Sequence, residues 1–228
     1  MTKATSTVRI ATTAMTTITN LARLLQLASP TLPVGAYSYS QGLEAAIEAG
    51  IVKDAPSAER WISDVLELSF ARMEAPMLLR FLKSNELEKQ NAIFLATRET
   101  AELRAETVQM GYSLNQLLPS LGVEPLTFDE PSFPAAFAAA AGAWKIDPRD
   151  ALQAYMWAWI ENQVMAAVKT VPLGQTDGQK MLFSLGQRIA ALARESAELK
   201  DEQLGNFMPG LAVLSSKHET QYSRLFRS

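Results

Sequence analysis

The sequence predicts an all-α protein, a single-domain bundle of roughly eight to ten helices. Three observations carry that reading. Helix punctuation recurs along the chain, with Asn, Asp, Ser or Thr ahead of apolar runs and Pro or Gly behind them, while strand punctuation does not recur. Apolar residues fall at helical spacing in segment after segment. The stretch Asn85 to Leu121 is rich in Glu, Arg, Leu, Ala and Gln, all good helix formers. A chain of 228 residues suits one such domain, and a hydrophobic share of 48% fills its core with apolar surface left over for an interface.

The elements follow in order. Asn20 is placed to cap a short helix carrying Leu21, Leu24, Leu25 and Ala28, with Pro30 just beyond its end. A loop over Ser29 to Gln41 follows, and a second short helix runs from about Gly42 to Gly50. Asp54 or Ser57 caps a longer helix whose Ala58, Trp61, Ile62, Val65, Leu66 and Leu68 follow the helical period, and Pro76 interrupts the pattern after Met73. Two helices joined near Thr100 fill Asn85 to Leu121. Gly122 to Pro134 reads as loop and the Ala-rich run Ala135 to Trp144 as a short packed helix. Asp147-Pro148-Arg149-Asp150 is a strong helix start, with an acid at the cap, Pro in the first helical position and a second acid in the first turn. The helix it opens is apolar on most sides and belongs at the centre of a bundle. Thr176-Asp177-Gly178-Gln179 fits a capping box that opens a further helix. These assignments divide the chain into a disordered extension (1–19), a helical domain (20–214) and a partner-binding C-terminal tail (215–228).

Composition excludes much. There is no cysteine and one histidine, His218, so thiolate or multi-imidazole metal cages cannot form within one chain. No metal, cofactor or catalytic residue is therefore expected. A net charge of −3 lacks the footprint of a nucleic-acid binder. No segment reads as a membrane span or secretion signal, and the chain is expected to be cytoplasmic. The first twenty residues are Thr-rich and basic, no acid appears before Glu44, and Met15 could be a start. Pro172 to Lys180 resembles a phosphate loop but fails its spacing, since Gln179 stands at the second Gly position and Met181 follows the Lys. The Glu residues between Glu86 and Glu106 alternate with Lys89, Arg98 and Arg104, as on a solvated helix face. His218-Glu219 reads as a surface pair.

Two segments stand apart. The loop Leu27 to Glu44 combines prolines and glycines with Tyr37 and Tyr39, and is either packed beneath the bundle or offered to a partner. The tail places Tyr222, Leu225 and Phe226 at i, i+3, i+4, so that one helical turn would gather them, with Arg224 and Arg227 beside them. Aromatics with arginine are interface composition, and a segment this short is expected to order on a partner, with docking on its own bundle as the less favoured alternative.

These segments carry a resemblance. LLQLASPTLPVGAYSYSQGLE (Leu24 to Glu44), RAETVQMGYSL (Arg104 to Leu114), VPLGQTDGQKML (Val171 to Leu182) and HETQYSRLFRS (His218 to Ser228) together resemble the UreF family of urease accessory proteins. The resemblance departs at Tyr37, where the family often has Phe, and in the Ala-rich run after Pro134. It implies an all-helical, dimeric, non-catalytic adaptor in nickel-dependent urease maturation. Implied partners are a UreD/UreH-type accessory protein, the UreG GTPase and the urease apoprotein. The candidate partner-binding residues are Tyr37, Tyr39, Glu44, His218, Glu219, Tyr222, Arg224, Leu225, Phe226 and Arg227. The alternative is a factor that stimulates the GTPase by lending an arginine. A hydrolase built on His218 is the remote third reading.

Overall fold

The computed structural model describes residues 20–228, and every regular element among them is helical. The expected extension, 1–19, lies outside the described residues. Residues 20–27 form helix α1, with Asn20 already helical. Then come α2 (Leu43–Glu48), α3 (Ala55–Leu68), α4 (Glu74–Lys83), α5 (Leu87–Ala96), α6 (Ala101–Leu117), α7 (Phe133–Ala143), α8 (Pro148–Thr170), α9 (Gln175–Gly186), α10 (Ile189–Glu198) and α11 (Pro209–His218). The last of these runs through the boundary drawn at 214/215.

The local chemistry explains most boundaries. The Asp54 carboxylate accepts the Ser57 amide at 2.9 Å while the Ser57 hydroxyl oxygen accepts the Asp54 amide, a reciprocal cap for α3. Thr100 caps α6 through Leu103. Asp147 accepts from the Arg149 amide at 2.8 Å with Pro148 in the first turn of α8. Pro76 sits inside the first turn of α4, where its missing N–H costs nothing, so the break falls earlier, at the 3-10 turn Phe70–Arg72. The capping box at Thr176 does not form. Gly174 is the cap of α9, because its carbonyl already accepts the Asp177 and Gly178 amides.

Helix α8 runs through the middle and touches α2, α3, α4, α7, α9 and α10. Tyr155, Trp159 and Met156 on α8 are buried, and Tyr155 packs on Phe70, Phe133 and Phe137 with ring centroids 4.9 to 5.6 Å apart. Helix α7 lies against α4 and α6 with Ala135, Ala136, Ala138, Ala140 and Ala141 all buried, small side chains that let three helices approach closely. The loop leading into α7 crosses α6 at Gly111, where an added Cβ would stand 1.9 Å from the Pro131 carbonyl oxygen. No helix among the described residues is long and apolar enough to cross a membrane. Helix α11 packs on α2, and this contact sets the stage for the tail.

Candidate functional site at the C-terminal segment

Residues after His218 leave the helix and run back across the molecule with bends and no helical turn. The turn expected to gather Tyr222, Leu225 and Phe226 is absent. The reason is visible in the hydrogen bonds. The Leu225 and Phe226 amides, which a helix would turn inward, donate instead to the two oxygens of Glu44 at 2.7 and 2.9 Å. The Arg227 amide donates to the Ser38 carbonyl at 2.8 Å, and the Ser228 carbonyl oxygen accepts from the Ser40 amide (3.0 Å) and hydroxyl (2.5 Å). An extended strand of tail is thus pinned along the loop that launches α2.

Three elements supply the polar groups beneath it. Glu44 stands in the first turn of α2, a favourable place for an anion. Glu102 and Glu106 lie one turn apart on α6, and His218 ends α11. Gly42, at φ +79°, permits both the tight turn into α2 and its close approach to α11, since a Cβ there would meet Leu211 at 2.9 Å. His218 is 0% exposed, with Nδ1 2.6 Å from Glu102 Oε2 and Nε2 3.2 Å from Glu44 Oε2. Both ring nitrogens face carboxylates. The other Glu102 oxygen accepts from Arg224 at 2.5 Å.

Glu106 is buried, and one oxygen accepts from Gln41 Nε2 at 2.6 Å and the other from the Ser228 hydroxyl at 2.7 Å. Loss of water pushes its carboxyl up to about 7; the Gln41 and Ser228 hydrogen bonds pull the other way, and nearby Glu74 adds to the rise. Gln41 in turn accepts from Trp159 Nε1 at 2.7 Å, tying the tail to the central helix. Glu106 also lines a cavity of about 180 Å³ shared with Glu74, Arg98, Tyr155 and Trp159. There Tyr155 donates to Glu74 at 2.5 Å, and its hydroxyl is held well above the ordinary tyrosine range by burial first and by Glu74 next.

The candidates divide between two surfaces. Tyr39, Glu44, His218 and Phe226 are packed inside this lock. Tyr39 is raised by burial and by Glu106, against a hydrogen bond from Arg227. Arg224 engages Glu102, and Glu219 accepts from the Glu102 amide at 3.3 Å. Tyr37, Tyr222 and Leu225 face outward, at 66%, 105% and 64% exposure. Lys169 lies near both Tyr37 and Phe226, 5.8 and 5.9 Å from the ring centroids.

Two sequence expectations are corrected here. His218 and Glu219 are not a surface pair: burial against two carboxylates holds the ring at the centre of the lock. Glu102 and Glu106 do not belong to a solvated face, because α11 and the tail cover that side of α6. Ser40, Gln41, Trp159 and Ser228 were missing from the candidates. The i, i+4 spacing of Glu102 and Glu106 was the available signal, and it became meaningful only once a partner segment lay across it.

Both His218 nitrogens are engaged by carboxylates, so none remains to activate a hydroxyl. Among the described residues no group of His, Asp and Glu is arranged to hold a metal. What this arrangement can do is hold and let go of a peptide segment. Fold and site define an all-α bundle protein whose polar centre is closed by its own C-terminal segment. The UreF family model matches residues 52–186. The urease accessory protein UreF of Azoarcus sp. (strain BH72) is 55% identical over 223 residues, covering 91% of this chain and 95% of that protein. That of Dechloromonas aromatica (strain RCB) is 50% identical over 228 residues, covering 94% and 100%. Methylobacillus flagellatus has a UreF 48% identical over 224 residues, covering 92% and 98%. The chain belongs to the UreF family.

Proposed function

We propose that this protein is a cytoplasmic, dimeric adaptor in nickel-dependent maturation of urease, joining a UreD/UreH-type protein and the UreG GTPase to the urease apoprotein. The observation that carries the reading is its close likeness, over nearly the whole chain, to proteins named urease accessory protein UreF. The surface supports it. Tyr37, Tyr222 and Leu225 stand exposed beside Arg224 and Arg227, an anchor-rich composition suited to a protein partner. We assign this face to the UreD/UreH-type partner. Exposed Phe183 and Phe207 offer further apolar surface for a second partner or a second copy.

The test is a pull-down of purified chain against UreD, UreG and apo-urease, with a Tyr222→Ala/Leu225→Ala double variant beside it. Capture of UreD by the parent and its loss in a normally folded variant supports both adaptor and surface. Failure to capture any of the three removes the adaptor reading. Acceleration of GTP hydrolysis by UreG that vanishes on one Arg→Ala substitution would install the GTPase-stimulating alternative instead.

A further inference from the structure

The C-terminal segment is fastened to the bundle by bonds to Ser38 and Ser40 and, beside them, through ionisable groups. Glu44 receives two of its amides, Glu102 receives Arg224, Glu106 receives Ser228, and His218 bridges the first two carboxylates. Three carboxylates thus gather around one imidazole and one guanidinium, with Phe226 as the only buried apolar side chain after His218. We propose that closure of this segment takes up protons, so that it is held in mildly acidic solution and released as the pH rises through neutrality.

The groups facing the lock set the direction. Glu106 faces Glu74, Arg98 and Tyr155 across the cavity, and Tyr39 with its Arg227 partner on the tail side. His218 faces Glu44 on α2 and Glu102 on α6, and Glu102 also carries Arg224. When the segment lifts, water reaches Glu106 and its carboxyl returns toward the ordinary range. The closed form, in which it is held up to about 7, therefore binds more protons than the open form. A carboxyl raised by closure favours the closed state fully below its ordinary value and loses that advantage as pH climbs through the raised one. One linked proton at Glu106 makes closure about tenfold weaker at pH 8 than at pH 6. This inference concerns the isolated chain and does not depend on the adaptor reading.

The experiment uses the tag-free protein with its whole C-terminal segment in place. Amide exchange protection of Leu225 and Phe226, with intrinsic rates divided out, is measured at pH 6 and pH 8, and Ile160 of α8 reports global opening. The expected result is an about tenfold loss of tail protection at pH 8 with Ile160 unchanged. In Glu106→Gln, whose side chain stays neutral and can still accept from Ser228, most of that loss should disappear. Equal tail protection at both pH values in the parent protein overturns the proposal, and this arm decides alone if the variant does not fold. A loss in Glu106→Gln as steep as in the parent overturns it as well.

Discussion

The apolar centre around α7 and α8 and the polar lock beneath the tail are both buried, yet they are held by different physics. Phe137, Met156 and Leu152 are sealed among other hydrocarbon groups, and nothing about their packing depends on protons or salt. Glu106, His218 and Ser228 are equally hidden, but each is held by directional polar bonds in which a carboxylate takes part. Hydrophobic burial is non-directional and adds up gradually. A charged network is worth little until every member is satisfied, and becomes costly when one is removed. One molecule therefore carries a rigid half and a conditional half, and three of the four segments that carry the family resemblance meet in the conditional half.

Four substitutions sharpen that contrast. The largest loss is expected in the rigid half. Phe137→Ala, at a fully buried ring stacked edge-on against Phe133 and Tyr155, should cost about 3–5 kcal/mol, equally at low and high salt, in denaturant melts. A marked salt dependence of that loss would show that the core is not purely apolar. Gly111→Ala comes next, at about 1–3 kcal/mol, because the new Cβ meets backbone of the loop before α7 rather than a side chain that can swing away. Thermal melting above that of the parent protein would mean that the crossing at Pro131 is looser than described. His218→Ala should cost about 1.5–3 kcal/mol by leaving Glu44 and Glu102 without their shared donor, and should free the tail before it melts the helices. Tail amides that stay protected in this variant would separate the histidine from the lock. The smallest effect belongs to Tyr222→Ala, which should leave stability within about 0.5 kcal/mol because the ring touches water on all sides. A larger drop would place Tyr222 in the bundle rather than on the docking face. Deleting Thr220 to Ser228, by contrast, should lower the melting temperature, since it withdraws Phe226 and every donor the tail offers to Glu44 and Glu106.

The helices were legible from sequence where local chemistry decides them. Asp54 with Ser57, Thr100, and Asp147 with Pro148 each fix a boundary within a few residues of chain, and the apolar period of α3 names its buried residues except for Leu68, which stays exposed at the helix end. The capping box at Thr176 failed because α9 starts two residues sooner, with Gly174 at its cap. The loop Leu27 to Glu44 was recognised as unusual, and it proves to be divided, with Tyr39 inside and Tyr37 outside.

What the sequence by itself determined is the inventory and the local order: an all-helical chain without cysteine, with one histidine, and with caps and apolar faces that follow from neighbours a few residues apart. What only the tertiary structure decided is the lock, for its bonds join residues 65 to 188 positions apart, from Gln41 with Glu106 to Ser228 with Ser40. A carboxylate on a helix looks the same in sequence whether water or a neighbouring segment covers it. Its charge state and its role are set by desolvation and by distant partners, and those exist only once the chain has closed on itself.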